Sequence, residues 1–386
     1  MAACGLVLLL APALQAQKKL TNREIWASPL FSAEMVGGLA SMKDGLHYTA
    51  LDQEGDEAVI KQYAYRTGEA VATLVRGSEL VPTGAREPVE MDDYSFSGDE
   101  RKMMIGTGHE PIYRYSYSGY NYVYDRSTKK LVPLSDLGKA KQRLATFSPD
   151  GSKAAFVRDN NLFVVDLATM TEAQVTTDGE WNKVLNGATD WVYEEEFALV
   201  QGYAWSPKGT KLLYLRSDES AVKEFDLALY KGQLYPSEYR FKYPKAGEVN
   251  SSVELHCYEV ATKTTRAIPL GTSGEVYIPR LGWTPDDNVL WFMRMNRLQN
   301  EKVIATVNLA ERSVVPVPNT VYNETNRTYV EVTDDLHFLS DGSGFVLTSE
   351  RDGWNHVYFV PMNGEARQLT RGAWDVLSVK GIDEKT

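Results

Sequence analysis

Between positions 190 and 197 the chain reads Asp190-Trp191-Val192-Tyr193-Glu194-Glu195-Glu196-Phe197. Three adjacent carboxyl groups repel one another unless a cation answers them, and the flanking aromatics tend to pin such a segment to the body of the protein. Such a run stands out as a candidate site, though its spacing alone does not establish one. Taken alone, the same pattern is that of a short amphipathic helix with a solvated acidic side. Successive residues of an α-helix point about 100° apart, so Glu195 and Glu196 converge on one ligand only at an irregular turn or a helix end.

Other chemistries lack their residues. A serine nucleophile on an α/β-hydrolase sheet needs Gly-x-Ser-x-Gly at a strand-to-helix elbow; no such pentapeptide occurs, and Gly271-Thr272-Ser273-Gly274 has the wrong spacing. The five histidines (His47, His109, His256, His337 and His356) never fall at metal-ligand spacing, and the two cysteines, Cys4 and Cys257, make neither a disulfide framework nor a cysteine zinc site. No phosphate-cradling glycine motif is present, so neither a metal nor a nucleotide cofactor is expected. With 41 Lys+Arg against 52 Asp+Glu the net charge is −11, which sets nucleic acid aside as a partner.

The elements that must carry the acidic run are announced by a recurring phrase: an aromatic or apolar residue, Ser or Thr, often Pro, then an Asp/Gly turn. It begins at Met42, Phe96, Phe147, Trp205, Trp283 and Phe338. Successive starts lie 51 to 58 residues apart, except for 78 between Trp205 and Trp283. Strand-like runs follow each turn, such as Lys153–Arg158 and Asn161–Asp166. Repeats of this length, each an antiparallel meander, predict an all-β chain folded as a β-propeller of six or more blades of about 50 residues. A β-sandwich does not keep a period over six units. The wide interval predicts an insertion near Lys231 to Asn250, rich in Tyr, Pro and Lys, that protrudes as a loop.

Residues 1–16 read as an export signal with an apolar run from Gly5 to Ala13, residues 17–40 as a connecting segment and 41–386 as the propeller domain. A periplasmic or secreted protein is expected.

The run Asn186-Gly187-Ala188-Thr189, leading into Asp190 to Glu196, resembles the double-glutamate motif of the dipeptidyl peptidase IV family of prolyl oligopeptidase-type serine peptidases. Ile112-Tyr113-Arg114-Tyr115-Ser116-Tyr117, Ala204-Trp205-Ser206-Pro207 and Tyr243-Pro244-Lys245-Ala246-Gly247 are similar to that family in the same order. The resemblance implies an eight-bladed propeller, here truncated at its C-terminus. It is joined in the family to an α/β-hydrolase domain bearing Ser, Asp and His, which this chain lacks. It also implies a peptide substrate with a free N-terminus, from which dipeptides ending in Pro or Ala are removed. By the motif, Glu195 and Glu196 take the α-ammonium group, Arg114 takes the carbonyl of the first peptide bond, and no catalytic residue is assigned here. The family's aromatic and Arg near the second substrate residue find no counterpart in Tyr329-Val330-Glu331-Val332, which departs from that pattern. Homodimers in the family pair through the hydrolase domain and a propeller arm. The alternatives are a stand-alone, non-catalytic propeller that binds peptides or a protein partner, and a propeller glycosidase, whose Ser-x-Asp-x-Gly-x-x-Trp turn is absent. Arg114 paired with the acidic run in a purely structural role is a further reading.

Overall fold

The computed structural model describes residues 19–33, 38–310 and 315–385. The proposed export signal lies outside them. Of the connecting segment, residues 19–33 form the exposed helix α1 (Asn22–Trp26) and a short 3-10 turn, Pro29–Phe31.

Six antiparallel sheets follow in chain order, spanning residues 40–76, 93–133, 143–174, 184–268, 276–325 and 336–368. We call them blades 1 to 6. Blades 1, 2, 3, 5 and 6 are meanders in which neighbouring strands in sequence are neighbours in space, as the short turns between them require, while in blade 4 the order is broken by an interrupted edge strand and by a separate two-stranded hairpin inserted between its central strands. The six phrases supply the six blades of this all-β propeller, and no α/β-hydrolase domain occurs among the described residues.

The phrase does its work most fully in blades 2 and 3. In blades 2 and 3 the Ser hydroxyl donates to the turn Asp, Ser97 to Asp99 at 2.7 Å and Ser148 to Asp150 at 2.6 Å. The same hydroxyl accepts from the amide that opens the next strand, Lys102 or Lys153, at 2.9 Å. The turn glycines Gly151 and Gly209 adopt φ of +65° and +64°, and each faces the phrase Ser of the preceding blade, Ser97 and Ser148. Gly98 has no room for a side chain at all, since a Cβ there would stand 2.2 Å from the Pro149 carbonyl oxygen. The turn therefore reverses the chain and also keys one blade against the next.

Between blades the core forms by period-two alternation. Met103 and Ile105 pack toward Ile60 and Val75 of blade 1, while the intervening Met104 packs toward Phe156 and Phe163 of blade 3. Strands buried on both faces read as continuous apolar runs, which is why Lys153–Arg158 and Asn161–Asp166 stand out in the sequence and occur with those bounds.

The long interval in blade 4 is filled differently from the expectation. Glu224–Leu229 and Ser237–Lys242 pair as a two-stranded hairpin from Glu224↔Lys242 to Leu229↔Ser237, so the insertion is a β-arm that begins before Lys231 rather than a loop. Phe225, Tyr239, Phe241 and Tyr243 pack ring against ring along it, which gives the arm an apolar side of its own.

Candidate functional site

The acidic run forms helix α2 (Trp191–Phe197), inserted into the edge of blade 4. Val184–Asn186 and Tyr203–Trp205 both pair with Lys211–Asp218, so the edge strand is interrupted, runs out through the helix, and resumes on the same partner. Two turns of helix cannot hold themselves together in water, and neighbours fix α2 at each position. Asp190 caps the N-terminus by accepting from the Tyr193 amide at 3.0 Å and from the Ser251 hydroxyl at 2.5 Å. Burial raises the pKa of this carboxyl. Tyr193 and Phe197 enter the core between blades 4 and 5, where the Tyr193 oxygen accepts from the Ile278 amide at 2.9 Å. Arg280 donates to the Phe197 carbonyl at 2.7 Å and to Asp334 at 2.5 Å, closing the C-terminal end. Trp191 packs on Tyr243, at the base of the β-arm, with ring centroids 4.2 Å apart.

Arg114 sits in the turn 112–116 that joins the strands Lys102–Pro111 and Tyr117–Asp125 of blade 2. Its Nε donates to both oxygens of Glu195, at 2.9 and 3.2 Å. Both of these bonds use Nε, the side chain is 67% exposed, and the two terminal nitrogens of the guanidinium make no hydrogen bond among the described residues. Glu194 points the other way, wholly buried, and its Oε1 accepts from the amides of Tyr115 at 2.7 Å and Ser116 at 2.9 Å. One helix thus grips the 112–116 turn twice, by side chain through Glu195 and by backbone through Glu194. The β-arm closes over the same turn: Tyr239 donates to the Ile112 carbonyl at 3.2 Å and Tyr113 packs on Phe241.

Glu196 is exposed, two residues before the left-handed residue Ala198 that ends the helix. Glu195 and Glu196 therefore occupy the last turn, where the carbonyl end of the helix dipole disfavours negative charge by roughly 0.3–1 kcal/mol each. No basic residue of α2 offsets them; Arg114 answers Glu195 from another blade. Tyr329, from the segment between blades 5 and 6, lies in the field of Glu196, and its hydroxyl pKa is raised by burial and then by Glu331, Glu350 and Glu196.

Comparison with known proteins identifies the family. The family described as dipeptidyl peptidase IV (DPP IV) N-terminal region matches residues 97–386, three quarters of the chain and all of blades 3 to 6. The chain belongs to the dipeptidyl peptidase IV N-terminal-region family. The crystal structure of Porphyromonas gingivalis dipeptidyl peptidase 4 is 40% identical, with a TM-score of 0.85, over 95% of this chain and 51% of that one. A probable dipeptidyl peptidase 4 of Aspergillus fumigatus is 28% identical over 97% of this chain and 49% of its own length, and prolyl endopeptidase FAP of Bos taurus is 28% identical over 85% and 44%. The chain thus spans about half the length of the relatives it matches.

Of the residues singled out in the sequence of this dipeptidyl peptidase IV-type propeller, Arg114 and Glu195 meet directly, and Glu196 adjoins them in the same helical turn. The acidic run is indeed helical, but its side is not uniformly solvated, because Glu194 is buried. Helical spacing holds the signal for this: Glu194 lies four residues after Asp190 and three before Phe197, on the face that enters the core.

A buried charged group behind the turn carried no sequence signal. Arg143 and Glu219 are 6% and 3% exposed. Burial, followed by the nearby Asp190 charge, pushes the Glu219 carboxyl up to about 8, with Lys242 and Arg143 pulling the other way. An unfolded Glu gives up its proton near 4.3. Between about pH 4.3 and 8 the folded chain therefore binds more protons than the unfolded one, and stability falls as pH rises, by at most roughly 1.4 kcal/mol per unit. Glu219→Gln is expected to remove that slope. Thermal melts should place the variant above the wild type at pH 8 and bring the two together near pH 4; parallel melting curves across that range would contradict the assignment.

Proposed function

We propose that this chain is the substrate-recognition propeller of a serine-type dipeptidyl peptidase that removes X-Pro and X-Ala dipeptides from peptide N-termini. The Ser-Asp-His residues would belong to an α/β-hydrolase domain outside these 386 residues. Glu195 and Glu196 receive the α-ammonium group, and the outward nitrogens of Arg114 receive the carbonyl oxygen of the first peptide bond.

The observation that carries this reading is the way Arg114 is used. Arg–carboxylate pairs are frequently held through two nitrogens, whereas here Nε alone holds Glu195 and the terminal donors of a largely exposed guanidinium are left for a ligand. The helix end adds a second support: two carboxylates placed against the dipole favour a ligand that brings positive charge. A cation about 4 Å from a carboxylate gains on the order of 4 kcal/mol at an effective dielectric near 20, before desolvation is subtracted. With the amine held at a fixed point, the bond presented to a nucleophile lies two residues into the peptide. Export to the periplasm or exterior suits a protein that meets free peptides, and is proposed with it.

The test is binding of Ala-Pro amide and its N-acetyl counterpart by calorimetry at pH 7 and pH 9. Peptide α-amino groups titrate near 7.7–8.0, so the ammonium fraction falls about tenfold between these pH values. The free-amine ligand is expected to weaken by about that factor, and the acetylated one to bind weakly at both. Equal affinities for the two ligands, or an affinity constant from pH 7 to 9, would contradict the proposal.

A further inference from the structure

Behind the 112–116 turn lies a buried arginine to which capture of an ammonium group assigns no part. Arg143 opens the strand Arg143–Phe147 of blade 3, and its Nε and Nη2 have no hydrogen-bond partner among the described residues. Glu194 spends Oε1 on the amides of Tyr115 and Ser116 and leaves Oε2 buried and equally without a partner. Gln142, the residue before Arg143, exchanges both backbone hydrogen bonds at 2.8 Å with Gly119, three residues beyond Ser116, which sets Arg143 beside the turn whose amides Glu194 holds.

The remaining charged groups nearby have other engagements or are weak counterions. Asp190 is occupied by Ser251 and the Tyr193 amide, and Lys242 donates to the Val222 carbonyl at 2.8 Å. Glu219 has a buried oxygen without a partner and, holding its proton to about 8, supplies little negative charge at neutral pH. Burial pulls the Arg143 guanidinium below its ordinary value, and Tyr113, Glu194, Tyr239 and Glu219 act in the opposite sense. A buried guanidinium is tolerated when a carboxylate answers it, directly or through ordered water. Of the two carboxyl groups that act on Arg143, Glu194 is the one fastened to the turn that bears Arg114.

We infer that Arg143 is a positioning residue: through Glu194 it fixes the 112–116 turn in the placement that presents Arg114 to Glu195 and to the carbonyl of a bound peptide. Arg143 touches no ligand itself. The inference deepens the peptide-terminus reading and rests on it for the ligand, while the clamp on the turn stands independently of what binds.

Two readouts on the 386-residue chain separate these. One is amide hydrogen exchange at Tyr115 and Ser116. The other is affinity for Ala-Pro amide compared with its alkene isostere, which keeps the amine and the shape but lacks the first carbonyl. Arg143→Met, which removes the charge at similar length, is expected to speed exchange at the two amides by about tenfold, the loss of one hydrogen bond's worth of protection. Exchange in the blade 5 strand Glu301–Asn308 should be unchanged. The same variant should weaken Ala-Pro amide by about tenfold and leave the isostere alone, and Arg143→Lys should restore both readouts. Should Arg143→Met fail to fold, Arg143→Gln is measured with the same expectations. Unchanged exchange at Tyr115 and Ser116 in a folded variant overturns the inference. A general rise in exchange that Lys does not reverse also overturns it, because it marks a merely structural role. If the unmodified chain binds neither ligand, the peptide reading falls, and the exchange measurement still decides the clamp.

Discussion

Glu194→Ala is expected to destabilise the folded chain by about 3 kcal/mol and to weaken binding of a dipeptide amide by at least about tenfold. The carboxyl group is wholly buried and is the acceptor for two consecutive backbone amides. Hydrogen bonds to charged groups are worth roughly 1.5–3 kcal/mol each, and an amide left buried without an acceptor adds its own penalty. The substitution also strips Arg143 of a counter-charge. Water entering the space left by the side chain recovers part of this, which brings the total down to the stated figure. Glu194→Gln keeps one acceptor oxygen and is expected to lose about 1 kcal/mol. Denaturant unfolding of the two variants beside the wild type measures both values. A Glu194→Ala chain as stable as the wild type would mean that Tyr239 and the β-arm suffice to hold the turn.

The second large effect is on affinity alone. Glu195→Gln and Glu196→Gln each remove one negative charge from the last turn of α2 without changing side-chain volume, and each is expected to reduce the affinity for a free-amine dipeptide by about tenfold. The double variant should lose roughly a hundredfold or more, since the remaining carboxylate no longer shares the cation. Stability should hold or rise slightly, because negative charge at the carbonyl end of a helix is unfavourable. Glu195→Gln carries an additional consequence: the Arg114 side chain loses its ionic tether, so discrimination for the peptide carbonyl should weaken with it. Glu196→Gln leaves that tether intact. Calorimetric titrations with free and acetylated ligands separate the two, and variants that bind the free amine as the wild type does would reduce both glutamates to ordinary surface charges.

The propeller was legible because its defining feature is local. In blades 2 and 3 a Ser hydroxyl bonds both the turn Asp and the next strand's amide, glycines face the preceding blade, and related turn residues at the other blade starts keep the phrase visible as a period. The β-arm was misread as a loop because Tyr, Pro and Lys dominate its tip. The alternation of Phe225, Leu227 and Leu229 that pairs it lies ahead of the point where the composition changes. At the site, the acidic run and Arg114 were singled out by their resemblance to a family motif, and the structure brings Arg114 onto Glu195 while Glu196 stands exposed in the same helical turn. The burial of Glu194 was legible only in helical spacing. Arg143 was not legible at all: it stands 51 positions before Glu194, within a blade 3 strand, and no local pattern records which charges the stacking of blades brings around one turn.

That stacking also accounts for where the site lies. Blade 2 supplies Arg114, an interruption in the edge of blade 4 supplies the glutamates, blade 5 supplies Ile278 and Arg280 to anchor the helix, and the arm covers the turn. None of these elements forms the arrangement alone, so the precision of the site depends on the blades being keyed together.

The most direct measurement is a crystal structure of the chain with Ala-Pro amide bound. The account predicts the ligand nitrogen within hydrogen-bonding distance of both Glu195 and Glu196, the first carbonyl oxygen on the terminal nitrogens of Arg114, and the Nε bond to Glu195 preserved. A ligand lying elsewhere on the propeller, or one seated here with its amine turned to solvent and the glutamates untouched, would contradict it.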